Sequence, residues 1–136
     1  MLLDITHARL MHLEWELQLE KVLSGRAKTA AIGTHDECML GHWIYNEGMQ
    51  KYSSIPELEI LEQEHKSFHR FARQIIREHK AGQNNQAEKT FQTVKKLSKE
   101  IIFLLTVIEL SAFRKKHRSY AIRHPLKTLS TLFSKK

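Results

Sequence analysis

The sequence predicts an all-α fold: an antiparallel four-helix bundle with a basic C-terminal extension. Three observations carry that prediction. Long stretches repeat apolar residues at helical spacing. Only five glycines and two prolines interrupt 136 residues. The β-branched alternation that marks strands is scarce. Three long helices and one short helix, linked by short connections, bury their stripes most simply against one another.

The first helix is expected over residues 4–23, DITHARLMHLEWELQLEKVL, with Leu10, Leu13, Leu17 and Val22 as its stripe, broadened by Met11, Leu19 and Leu23. Ser24-Gly25 ends it, because glycine tolerates the backbone turn that closes a helix. Gly33-Thr34-His35-Asp36 reads as a loop into a shorter helix over residues 37–45, stopped near Gly48. Ser53-Ser54-Ile55-Pro56-Glu57 then starts a third helix, with proline early and acids in the first turn. It runs to Lys80 with Leu58, Leu61, His65, Phe68, His69, Ala72 and Ile76 on one side, and Gly82-Gln-Asn-Asn breaks it. The fourth helix, over residues 85–117, carries Phe91, Val94, Leu97, Ile101, Leu104, Leu105, Ile108 and Ala112. Its middle is apolar nearly all round, which suits burial against helical neighbours and a second subunit. Pro125 separates it from a weakly amphipathic end.

The length suits one domain. Its expected extent is 1–112, followed by a basic tail over 113–136. The tail holds eight Lys and Arg and no acid; removing those from the totals leaves 14 basic and 15 acidic residues in 1–112. A net charge of +7 therefore belongs to the tail, which is expected to be a solvated end. Its apolar residues, among them Tyr120, Leu126 and Phe133, also suit a weak contact of 114–136 with an acidic partner or membrane surface. Nothing in the chain has the pattern of a base-reading motif, so sequence-specific nucleic-acid binding is not expected. The single cysteine, Cys38, excludes an intrachain disulfide framework. Asp4 and Arg9 interrupt the N-terminal apolar run, and the apolar stretch 101–110 is too short to span a bilayer. The expected location is cytoplasmic.

The chemistry begins at HKSFHR, residues 65–70. His65 and His69 are four apart, so on a helix both imidazoles share one face. Nine histidines in the chain make one such pair unremarkable alone. A tetrahedral zinc site needs two further N, S or O donors. Cys38 on the short helix and His12 or His7 on the first are the candidates; His12 lies within the core stripe, His7 near a helix end. Singly, each has a plainer reading: a core histidine satisfied by its neighbours, and a thiol acting as a small hydrophobe. His35, His42, His79, His117 and His124 fall in loops, on polar faces or in the tail.

Cys38-Met-Leu-Gly41-His-Trp43-Ile-Tyr45, followed by His65-Lys-Ser-Phe68-His69, resembles the chemoreceptor zinc-binding domain family. That family has a Cys-x-x-Gly-x-Trp signature, a later His-x-x-x-His, and a His on the first helix. His12-Leu-Glu-Trp15 is similar to that first element, and Gly48 and the helix start at Pro56 also match. The likeness spans roughly 5–112. It implies one zinc ion per chain held by His12, Cys38, His65 and His69. It also implies a cytoplasmic bacterial sensory module, commonly homodimeric, that acts on a signalling protein partner in pathways such as chemotaxis. A site closed by four protein ligands is structural or regulatory, so no enzymatic activity is expected. Zinc sensing and oxidant sensing through Cys38 both suit it. A haemerythrin-like di-iron bundle is the competing reading. It requires bridging carboxylates, for which only Glu62 and Glu64 lie near His65, and Glu62-x-x-His65 does not recur on other helices. An adaptor working through the basic tail is the third.

Overall fold

The structure, a computed structural model, describes residues 5–123, with side chains described for residues 7, 8 and 10–115. All regular structure among these residues is helical. α1 spans Ile5–Leu23. A short helical arm follows the loop: α2 (Met39–Trp43), a π-helical turn (Ile44–Gly48) and α3 (Met49–Lys51). α4 spans Pro56–Lys80 and α5 spans Asn84–Arg123.

The helix ends follow from local chemistry. Ile55 is extended and Pro56 begins α4, with Glu57 and Glu59 in the first turn, where carboxylates face the positive end of the helix dipole. At its other end Gly82 takes φ +75°. There the Gly82 N–H donates to His79 O at 3.0 Å and the Gln83 N–H to Glu78 O at 2.8 Å. These two bonds satisfy carbonyls the helix leaves open, and glycine alone takes that backbone angle freely. α1 closes the same way at Gly25, φ +78°, with the Arg26 N–H donating to Lys21 O at 2.8 Å.

α4 and α5 form a hairpin, and α1 packs against both. The core comprises Leu58, Leu61, Phe68, Ala72 and Ile75 from α4, and Phe91, Val94, Ile101, Leu105 and Ile108 from α5. Leu19 and Val22 join from α1, and Leu40 and Ile44 from the arm. The arm lies tight against α4 at Gly48, where a Cβ would come within 3.2 Å of the Trp43 carbonyl and 3.3 Å of Leu58.

Four expectations need correcting. The α1 stripe is out of phase: Leu10, Leu13 and Leu17 are 59%, 54% and 57% exposed. The inward residues are Ala8, His12, Leu19 and Val22, with Trp15 packed against the core. Their spacing of four, three, four and three is helical, but it includes a histidine and a tryptophan that a count of aliphatic residues passes over. In α4 Ile75 is fully buried and Ile76 only half-buried. The short helix is broken by its π turn rather than continuous. α5 stays helical to Arg123, six residues past the end expected for the fourth helix. The rest of the expected contact segment, 124–136, lies outside the described residues.

Candidate metal centre

Three elements distant in sequence meet at the middle of α4. His65 and His69 stand one turn apart and are both buried. Cys38 is the N-cap of α2, its backbone extended and its Sγ accepting from the Gly41 N–H at 3.3 Å. A sulfur there takes one of the helix's unpaired N–H groups. Gly41 is required at this turn, because a Cβ would collide with the His35 carbonyl.

The donors converge. Cys38 Sγ lies 3.2 Å from His65 Nε2, and His69 Nε2 lies 3.1 Å from the same nitrogen. Ligand atoms of Cys38, His65 and His69 all fall within 4.8 Å of one another. Tetrahedral zinc with bonds of about 2.0–2.3 Å separates its ligands by about 3.3–3.6 Å, so a small outward shift of each side chain would admit the ion. His69 Nδ1 lies 2.8 Å from the Gly33 carbonyl, which can only accept, so Nδ1 carries the proton. In the neutral ring Nε2 then presents its lone pair to the cluster. A backbone carbonyl fixing the far nitrogen is the usual support for a metal-bound imidazole.

His12 is placed beside this group but not within it. It is 1% exposed, and both ring nitrogens lack a hydrogen-bond partner among the described residues. Its ring meets the edges of Trp15 at 5.1 Å and Phe68 at 4.8 Å. Buried imidazole nitrogens without partners are costly. The close group of donors does not include His12.

The electrostatics suit neutral imidazoles. Burial, and secondarily His69, pull the His12 pKa down to about 3. Burial, followed by His69 and His12, pulls His65 down to about 2. Burial also lowers His69, against the opposing bond to Gly33. Burial raises the Cys38 thiol, partly offset by the N–H groups of Gly41 and Leu40. The imidazoles are thus in their metal-binding form at neutral pH, and the thiol needs a cation to draw off its proton.

One thiol and converging imidazoles are the soft and borderline donors that suit zinc. No carboxylate belongs to the group among the described residues. Two parts of the site were not legible in the sequence. The Gly33 carbonyl carries no side-chain signal, and Trp15, which faces His69 at 5.1 Å, stood out only through the resemblance.

The comparisons with known proteins agree with this geometry. Residues 12–76 match the family model of the chemoreceptor zinc-binding domain. No curated protein and no solved structure matches the chain.

Proposed function

With residues 12–76 matching the chemoreceptor zinc-binding domain, we propose that the protein is a zinc-dependent sensory or regulatory module of bacterial signal transduction, chemotaxis included, working through protein contacts and not catalysis. The observation that carries this reading is the buried convergence of Cys38, His65 and His69. His12 is the fourth ligand in the proposal, supported by two buried ring nitrogens that nothing in the described protein satisfies. Zinc supplies a charge that holds the thiolate and ties α1, the arm and α4 together as an antiparallel four-helix bundle with α5. Four protein ligands leave no open position for a substrate or reactive water. A thiol ligand needs a reducing compartment, which fits the cytoplasm. Occupancy, or oxidation of Cys38, then biases how the arm sits on α4.

Metal analysis of protein purified without chelators tests the reading. One zinc per chain is expected, lost in Cys38→Ala and in His65→Ala and weakened in His12→Ala. Two irons per chain would instead establish the haemerythrin-like alternative, which the thiol-containing donor set disfavours. Unaltered zinc affinity in His12→Ala would remove the fourth ligand.

The proposed assembly is a homodimer. Leu10, Leu13 and Leu17 on α1, and Phe103 and Leu110 on α5, are exposed apolar residues on two helices that touch. Such a face is what a second copy covers. Sedimentation should show a dimer that Leu13→Glu/Leu17→Glu dissociates; a monomeric unaltered chain refutes it.

A further inference from the structure

α5 runs on past the bundle it helps to build. Across the hairpin the Thr90 hydroxyl meets Glu78 at 2.7 Å, and further along the Glu100 carboxyl acts on Glu64. Carried on, that register sets Pro56, where α4 begins, opposite about residue 110 of α5. Burial agrees: Ile108 is the last buried residue of α5 among the described side chains, and Phe113, Arg114 and Lys115 are exposed. The helix nevertheless continues to Arg123. About 13 residues, or roughly 20 Å, thus extend past the start of α4. Over this stretch, SAFRKKHRSYAIR, the chain carries five Lys and Arg and no acid.

We propose that this basic end of α5 docks on an anionic lipid surface. The sign of the partner follows from the charge: residues 1–112 hold 14 basic and 15 acidic residues, so the positive field of the chain is concentrated here. The same charge opposes pairing with the extension of a second copy. Lipid fits better than a protein groove because successive helix positions lie about 100° apart. Positions 114, 115 and 116, all cationic, therefore share no face. Lipid headgroups are mobile and gather round cations at different angles, whereas a fixed groove matches one face. Phe113 is exposed beside these cations, and the sequence places Tyr120, Leu126 and Phe133 among the later ones. Charge and apolar residues together supply the two signals that lasting attachment to a membrane surface needs. The contact is peripheral, since no helix among the described residues is long and apolar enough to cross a bilayer.

Co-sedimentation of the full chain with phospholipid vesicles tests the assignment. Binding is expected to phosphatidylcholine vesicles containing about one-third phosphatidylserine, not to phosphatidylcholine alone, and should weaken steeply as salt rises. Arg114→Gln/Lys115→Gln/Lys116→Gln should weaken it by at least about tenfold, with zinc content and helicity unchanged. Lys89→Gln/Lys96→Gln/Lys99→Gln removes the same charge from exposed positions on the bundle part of α5 and should weaken it by at most about twofold. Equal weakening in the two variants overturns the proposal, as does equal binding to the neutral vesicles or no binding to the anionic ones. An unaltered chain that ignores the anionic vesicles but holds polyglutamate through Arg114, Lys115 and Lys116 overturns it in favour of an acidic protein.

Discussion

Near the C-terminal end of α4, Glu78 is buried yet satisfied: the Thr90 hydroxyl donates to its Oε1 at 2.7 Å across the hairpin. Nine and thirteen residues upstream in the same helix, His69 and His65 crowd their Nε2 atoms together at 3.1 Å, and His12 beside them has no partner for either nitrogen among the described residues. Both regions bury polar groups in the core. In the first, two helices joined by a short turn supply donor and acceptor themselves. In the second, residues from α1, the arm and α4 bring together a thiol and imidazole nitrogens, the kinds of group that can bind a cation. One end of the helix is complete as protein; in the function proposed above, the middle is complete only with metal.

Removing the metal should separate the two regions most sharply. A ligand at a thousandfold excess over its Kd stabilises by about 4 kcal/mol. In a chain of this size, about 3 °C of Tm accompanies each kcal/mol. Chelation should therefore lower the Tm by roughly 10 °C, and Cys38→Ala should start at the lowered value and ignore the chelator. A Tm indifferent to chelation would mean that the middle of α4 is as self-sufficient as the hairpin.

Acid should act next, and again only at the metal region. Burial holds the folded-state pKa of His12 at about 3 and of His65 at about 2, below their unfolded value of about 6.5. Between those limits the unfolded chain binds more protons, so stability rises with pH. The metal-free protein should keep its full stability above about pH 6.5. It should then lose roughly 2 kcal/mol per buried imidazole by pH 5. Denaturant titrations at several pH values check this, and His65→Gln should flatten the slope. A metal-free stability constant from pH 7 to 5 would refute the burial of neutral rings.

The smallest effect should come from the hairpin. Thr90→Val leaves Glu78 without its hydroxyl donor and should cost about 1–3 kcal/mol, with zinc content unchanged. Any loss of zinc in this variant would show that the two regions are coupled along α4.

Much of this arrangement was legible in the residues. Pro56, Gly25 and Gly82 marked helix ends because their backbone chemistry acts locally. The stripe of α5 was read correctly because nearly every member is aliphatic and its interior residues are buried. Donor types at His65, His69 and Cys38 were visible for the same reason: a ligand must be one of a few residue types, and His65 and His69 were already one turn apart. The phase of α1 was misread. Three leucines outnumber the inward histidine in any count of hydrophobicity, and only the neighbouring helices decide which face is covered.

The sequence by itself therefore determined the helices, their ends and the chemical types available to a metal, all of which depend on residues within a turn or two of one another. Tertiary structure decided which face of α1 is buried, that Gly33 fixes the proton of His69, and that Cys38 caps α2 within 3.2 Å of His65. Those facts join positions up to 36 residues apart. They depend on how the helices pack, which no local spacing encodes.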